Sequence, residues 1–360
     1  MTQSPDQRRL GFWDLFSYGF VAMPLAVMTF PVMVYLPTFY ATKLGLGLSL
    51  VGTILMLARL ADVVTDPLIG WLSDRTRLNI GRRRIWVTAG LPFVLAGAYF
   101  LLVHPTADMT VSPMYLLTWA FVLYLGWTAM KLLHDAFGAE LSDDYHGRSR
   151  ITTYRESFTL IGSLISLGAI ALIDYVMGLD QGASMATIGW MTIALTPVGV
   201  ALLWRVDEPP APKSPTNNWR NGIKAIINNY PFLRLIWAFT INSIANGIPA
   251  TTFLLFVEFV IGRPDLQGLL LFIYFLCGIL AMPFWFWLSK KYTKHHIWCV
   301  AMVVACVTFA AVPLLGEGDI IWFSVIVVTT GLAVGADIIL PPSMQADVID
   351  VDRVATGNRR

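Results

Sequence analysis

Charge is what this 360-residue chain has least of. Asp, Glu, Lys and Arg make up 13% of it, where a soluble domain keeps about a quarter. Alternation of period two, the mark of a membrane barrel, is also missing. The N-terminus "MTQSPDQRRL" runs into a long apolar segment without a small-residue cleavage site, so no removable signal peptide is expected. Only three cysteines occur, Cys277, Cys299 and Cys306, all in apolar runs without metal-ligand spacing; they are expected to be packing residues. The five histidines are scattered, and no H-E-x-x-H or G-x-S-x-G spacing occurs. Neither an intramembrane enzyme nor a cofactor is therefore expected, and a nucleic-acid partner is not either.

What the chain has instead is oil. Hydrophobic residues make up 56% and the mean hydropathy is +0.64. Apolar runs of about 20 residues, separated by short polar stretches, predict a polytopic all-α membrane protein. Ten spans are placed near 12–41, 47–73, 85–104, 112–140, 156–178, 184–204, 232–261, 265–289, 296–315 and 319–343. Of the 25 Lys and Arg, 21 then fall in the N-terminus, alternate loops (75–84, 148–155, 205–234 and "KKYTK" at 290–294) and the tail. The opposite loops carry only Lys43 and Arg263. This asymmetry predicts that both ends of the chain are cytoplasmic.

The chain also resembles itself. "DPLIGWLSDRTR" at 66–77 closes the second span and "MPFWFWLSKKYT" at 282–293 closes the eighth; "AELSDD" after the fourth is echoed by "QADVID" after the tenth. Same-direction repetition of a six-span half is one way transporters are built. The expected organisation is a six-helix bundle at 1–205, a cytoplasmic linker at 206–231, and a partial bundle of four helices with a cytoplasmic tail at 232–360. On this repeat two further helices are expected and lacking, so a fragment or truncated product is one reading of the chain.

Within the second span, Arg59, Asp62 and Asp66 share one helix face. A carboxylate at the centre of a membrane helix costs about 2.5–3.5 kcal/mol. A structural Arg59–Asp62 ion pair is one explanation. The other is a cation site, in which the two carboxylates and the Thr65 hydroxyl offer hard oxygens to Na⁺, or an acid that exchanges a proton. In the second half, Asn242, Asn246 and Pro249 are expected to interrupt the seventh span, and Asp337 precedes Pro341–Pro342 in the tenth. Such residues either line a substrate path or join helices.

Gly70, Asp74, Arg75, Gly81, Arg82 and Arg83 resemble the gating-loop signature of the major facilitator superfamily, with about four residues inserted. "ARLADVVTDPLIGWL" and the order of segments resemble the melibiose-carrier family of glycoside–pentoside–hexuronide:cation symporters. The resemblance implies a two-bundle fold with coupling-cation ligands at Asp62, Asp66, Thr65 and Thr128. It also implies a sugar-binding arginine at Arg155. The family's two sugar-binding aspartates fall near Ala26 and at Lys131, so neither acid is present. Lys131 is expected either to pair locally with Asp135 or to form, with His134 and Arg155, a positive pocket for an anionic substrate. Tyr124 and Trp127 are candidates for stacking on a sugar, and Asn242 and Asn246 for lining its path.

The function this implies is cation-coupled symport of a sugar, glycoside or sugar acid by alternating access, driven by Na⁺ or H⁺. The alternatives are a non-transporting truncated product and a carrier of a non-sugar amphiphile or organic anion. The expected partners are a small-molecule substrate and the lipid bilayer. A monomer in a bacterial inner membrane is expected.

Overall fold

The computed structural model of the chain describes residues 10–76, 81–105, 109–142, 145–209 and 230–356. Most of the expected linker, the first nine residues and the last four lie outside the described residues. The chain divides into two compact units, Met1–Ala211 and Pro212–Arg360.

Among the described residues, ten helices are long and apolar enough to cross a membrane. The first unit holds α1 (Phe12–Lys43), α2 (Leu48–Arg75), α3 (Arg82–Val103), α4 (Pro113–Glu140), α5 (Arg150–Val176) and α6 (Gln181–Leu203). The second holds α7 (Phe232–Phe259), α8 (Pro264–Ser289), α9 (Lys294–Leu314) and α10 (Ile320–Gln345). Each has the length that a rise of about 1.5 Å per residue requires to cross a hydrocarbon layer of about 30 Å. Without water, only a helix satisfies its own backbone there.

Three boundaries differ from the sequence reading. The helix carrying α5 begins at Tyr145, so the expected 148–155 loop is helical and Arg155 lies within the helix rather than at its start. The helix carrying α10 runs on to Thr356, through Pro341 and Pro342. The helix carrying α7 is continuous from Tyr230 to Phe259, with Pro249 inside it; the asparagines do not break it. A proline removes one donor without unwinding a helix whose neighbours hold it in place.

In the first unit α1 is the buried element. Tyr18, Tyr35, Tyr40 and Phe39 are at most 1% exposed, although Pro31–Tyr35 and Phe39–Lys43 are wide, π-helical turns. By contrast α2 shows Leu60, Val63, Val64 and Leu68 on its surface. An apolar helix face exposed in a membrane chain is a face for lipid or for another helix. It is α2 that carries the acids.

Close helix pairs are made by glycine. Between α3 and α4, a Cβ on Gly126 would stand 2.7 Å from the Val94 nitrogen. Between α8 and α10, a Cβ on Gly335 would stand 2.5 Å from the Gly278 carbonyl oxygen. Small residues let membrane helices approach until backbones touch. Gly335→Leu should therefore lower stability by about 1–3 kcal/mol through overpacking, read as a lower thermal unfolding midpoint in detergent. Gly247→Leu on α7, where a Cβ meets nothing within 4 Å, should leave the midpoint in place. Equal midpoints for the two variants would remove the packing argument.

Candidate functional site

The backbone of α2 sets out the acids. Regular helix runs from Leu48 to Leu60 and again from Asp62 to Arg75, with Ala61 between. The Ala61 carbonyl accepts from both the Val64 and Thr65 amides, at 3.0 and 2.9 Å. Asp62 thus opens the second segment, with Thr65 and Asp66 one turn on. Pro67 has no N–H, so the Val63 carbonyl loses its usual partner four residues along.

The nearest approach of Asp62 to Arg59 is 3.8 Å, too long for a hydrogen bond, and Arg59 is 46% exposed. The Arg59 guanidinium lies 4.3 Å from the centre of the Tyr124 ring and 5.6 Å from that of Trp127. Held over those rings, Arg59 is only a loose partner for Asp62. Among the described residues, Thr65 Oγ1 and Asp66 Oδ1 are buried without any hydrogen-bond partner. Most helical threonines here behave otherwise: Thr29, Thr42, Thr53, Thr88, Thr159 and Thr187 each donate to the carbonyl four residues back. Two adjacent orphaned oxygens in a membrane helix are costly unless something meets them. Thr128 is buried on α4 and makes no hydrogen bond to either carboxylate among the described residues.

Arg59, Tyr124 and Trp127 also line a shallow open pocket with Met28, Thr29, Val32 and Leu123. Its wall is apolar and aromatic, and its one charge is the guanidinium. The ring faces expected to stack on a sugar are covered by Arg59.

Farther along α4, Lys131 Nζ and Arg155 Nη1 both hold Asp135, each at 2.9 Å. Arg155 also holds Glu156 at 2.7 Å. Two cations meet two carboxylates, so the cluster is neutral. The local ion pair forms and the positive pocket does not. His134 is the clearest correction. It is 1% exposed, its ring stacks on Tyr18 at 4.3 Å, and its Nε2–H donates to the Tyr18 carbonyl at 2.8 Å. Tyr18 returns a bond from its hydroxyl to the His134 carbonyl at 3.2 Å. His134 ties α4 to α1 and presents no ring nitrogen edge to a substrate at Lys131.

Where α2 ends and α3 begins, positive charge crowds a helix N-terminus, which the helix dipole disfavours. Carboxylates offset it. Arg83 is 8% exposed and reaches Glu140 at 2.9 Å, Asp74 at 2.8 Å and the Ser73 hydroxyl at 3.0 Å. Arg82 reaches Glu140 at 2.6 Å. Glu208 accepts from the backbone amides of Arg82, Arg83 and Arg84 at 2.8, 2.7 and 3.2 Å, satisfying donors that a helix start leaves open. Gly81, at φ +118°, makes the turn; a Cβ there would stand 2.6 Å from Glu208 Oε2. Arg75 stands apart, stacked 3.8 Å from the Trp71 ring, and Gly70 faces open space. Sequence reading missed Glu140 and Glu208, whose partners lie 57 or more positions away.

In the second unit, Asn242 and Asn246 on α7 donate to Asp337 Oδ2 at 3.2 and 2.9 Å. The Trp298 indole on α9 donates to Asp337 Oδ1 at 2.5 Å. The two asparagines and the aspartate, separate candidates in the sequence, meet in one cluster. Trp298 gave no signal beyond being aromatic.

Residues 17–360 match the family described as MFS/sugar transport protein. An uncharacterized symporter of Synechocystis sp. is 31% identical over 211 residues, which is 57% of this chain and 38% of that protein. The sodium-dependent lysophosphatidylcholine symporter 1 of Xenopus tropicalis is 25% identical over 87% of this chain and 65% of its own length. The chain thus spans less than two thirds of either relative. Among solved structures, a nucleoside transporter superposes with a TM-score of 0.65 at 12% identity, covering 94% of this chain and 82% of its own. At that identity the likeness concerns the fold alone.

Proposed function

Because the chain belongs to the MFS/sugar transport protein family, we propose that it is a cation-coupled symporter in which Asp66, Thr65 and Asp62 of α2 bind the coupling ion. The observation that carries this reading is the orphaned pair, Thr65 Oγ1 and Asp66 Oδ1, adjacent and buried in a span. Hard, small oxygens of this kind suit Na⁺ or a proton, and each would neutralise charge that is otherwise expensive in a membrane. Lys131, Asp135, Arg155 and Glu156 form a neutral network on α4 and α5. A substrate hydroxyl or carboxylate can compete for it. The ion then binds first, the substrate second, and alternating access carries both, with the chain ends on the cytoplasmic side.

The family description favours a sugar, glycoside or sugar acid. A second reading is an amphiphile with an acidic group, and the pocket under Arg59 favours it: Met28, Val32 and Leu123 offer apolar contact beside one guanidinium. The test is uptake into proteoliposomes under an imposed Na⁺ or H⁺ gradient, with a neutral disaccharide, a hexuronate and lysophosphatidylcholine as probes. At least one probe should accumulate above the gradient-free control. Uptake that ignores both gradients for every probe would overturn symport. Preference for lysophosphatidylcholine over both sugars would decide for the amphiphile.

A further inference from the structure

Asp337 stands in α10 eight residues from its end at Gln345, about 12 Å along the helix. It therefore lies inside the span. Three donors converge on its carboxylate, Asn242, Asn246 and Trp298. All three are neutral, so they satisfy lone pairs without cancelling charge. Among the described residues no Lys, Arg or His pairs with it, unlike Asp135 of α4 or Asp265 of α8, each of which holds an arginine. Asp66 is in the same position in the first unit, a carboxylate inside a span with no basic partner among the described residues.

The donors to Asp337 can also supply oxygen. An asparagine side chain carries a carbonyl beside its NH₂, and rotation of the amide exchanges the two. Pro341 and Pro342 lack N–H groups, so the carbonyls of Asp337 and Ile338 lose the donor that a regular helix would supply four residues later. Pro249 does the same for Ala245, between the two asparagines. Asn246 is exposed on α7 within its unit. Carboxylate and amide oxygens are ligands of a hard cation, and helices relieved of backbone bonds are where membrane proteins hold one.

We infer that Asp337, with Asn242 and Asn246, forms a second monovalent-cation site, within the second unit and separate from the one on α2. Binding turns both amides, so that their oxygens replace their NH₂ groups toward the carboxylate and the ion sits among them. Two asparagines one turn apart on α7 and an aspartate more than 90 positions away are thereby held to one task.

The experiment is equilibrium binding of radiolabelled Na⁺ to the full chain purified in detergent. Two saturable sites per chain are expected, one remaining in Asp337→Asn, one in Asp66→Asn and none in the double variant. A drop confined to Asp66→Asn overturns the Asp337 site and leaves the α2 site standing. A drop confined to Asp337→Asn upholds it and removes the α2 site. Because Asp337→Asn also loosens α7 and α9, Asn246→Leu gives an independent reading on an exposed position. It should weaken one of the two sites about tenfold, and unchanged Na⁺ affinity would overturn the proposal even if Asp337→Asn fails to fold.

Discussion

Asp66→Asn should reduce cation-driven uptake in proteoliposomes toward the level of the gradient-free control, a loss of about 10- to 100-fold. The substitution keeps the shape of the side chain and removes only its charge, so insertion and helix content should not change. The magnitude follows from the chemistry. A contact to a charged group is worth about 1.5–3 kcal/mol even when partly compensated, and each 1.4 kcal/mol is a factor of ten. Asp66 Oδ1 has no partner among the described residues to share that loss. Asp62 has one, since Arg59 lies within 3.8 Å, and Asp62→Asn should weaken coupling less. Thr65 separates a ligand role from a packing role. Thr65→Val keeps the volume and should raise the half-saturating cation concentration about tenfold, whereas Thr65→Ser restores an oxygen and should bring it back. If Asp66→Asn still accumulated substrate down the cation gradient, the ion would have to bind elsewhere.

The largest stability effect is expected at Arg83. Its guanidinium is nearly enclosed, with Glu140, Asp74 and Ser73 around it. Removing one member of a buried charged network leaves the others without compensation, at a cost of about 3–5 kcal/mol. Arg83→Met should fall near the lower end, because Arg82 still holds Glu140 at 2.6 Å. The measurement is the thermal unfolding midpoint in detergent, repeated at high salt. Enclosure should make the loss nearly independent of ionic strength. Arg75→Met is the contrast. Among the described residues Arg75 stacks on the face of Trp71, an exposed stack worth about 0.5–1 kcal/mol, and that variant should stay close to the parent. A large loss at Arg75 with none at Arg83 would reverse the account of this loop.

Arg83 also shows where reading a sequence stops. The six loop residues were picked out as one group, yet three of them part company in space: Arg82 and Arg83 enter the carboxylate cluster, while Arg75 turns to its own helix. Nothing in the spacing of Arg75, Arg82 and Arg83 distinguishes them. Likewise, the four-residue step from Lys131 to Asp135 foretells their pair, because residues that far apart share a helix face. The same step cannot foretell that Arg155 also takes Asp135, or that His134 turns inward against Tyr18. The repeat was legible at the level of segments but not of burial: α1 is enclosed in its unit, while α7 shows Trp237, Ile241, Ile244 and Ile248 on its surface.

The linear chain by itself determined ten membrane helices, their order, and the presence of unusual acids in α2 and α10. Each of those depends on about 20 consecutive residues and on the poor solvation of charge and bare backbone in hydrocarbon. Tertiary structure alone decided which charges are spent and which are left over. It brought Glu140 and Glu208 to the arginines of α3, Arg59 to Tyr124, and Trp298 with two asparagines to Asp337, while leaving Thr65 Oγ1 and Asp66 Oδ1 without partners among the described residues. A pairing of that kind is settled by which helix faces meet, and helix faces meet through glycine contacts and side-chain volumes on different segments, which no local pattern contains.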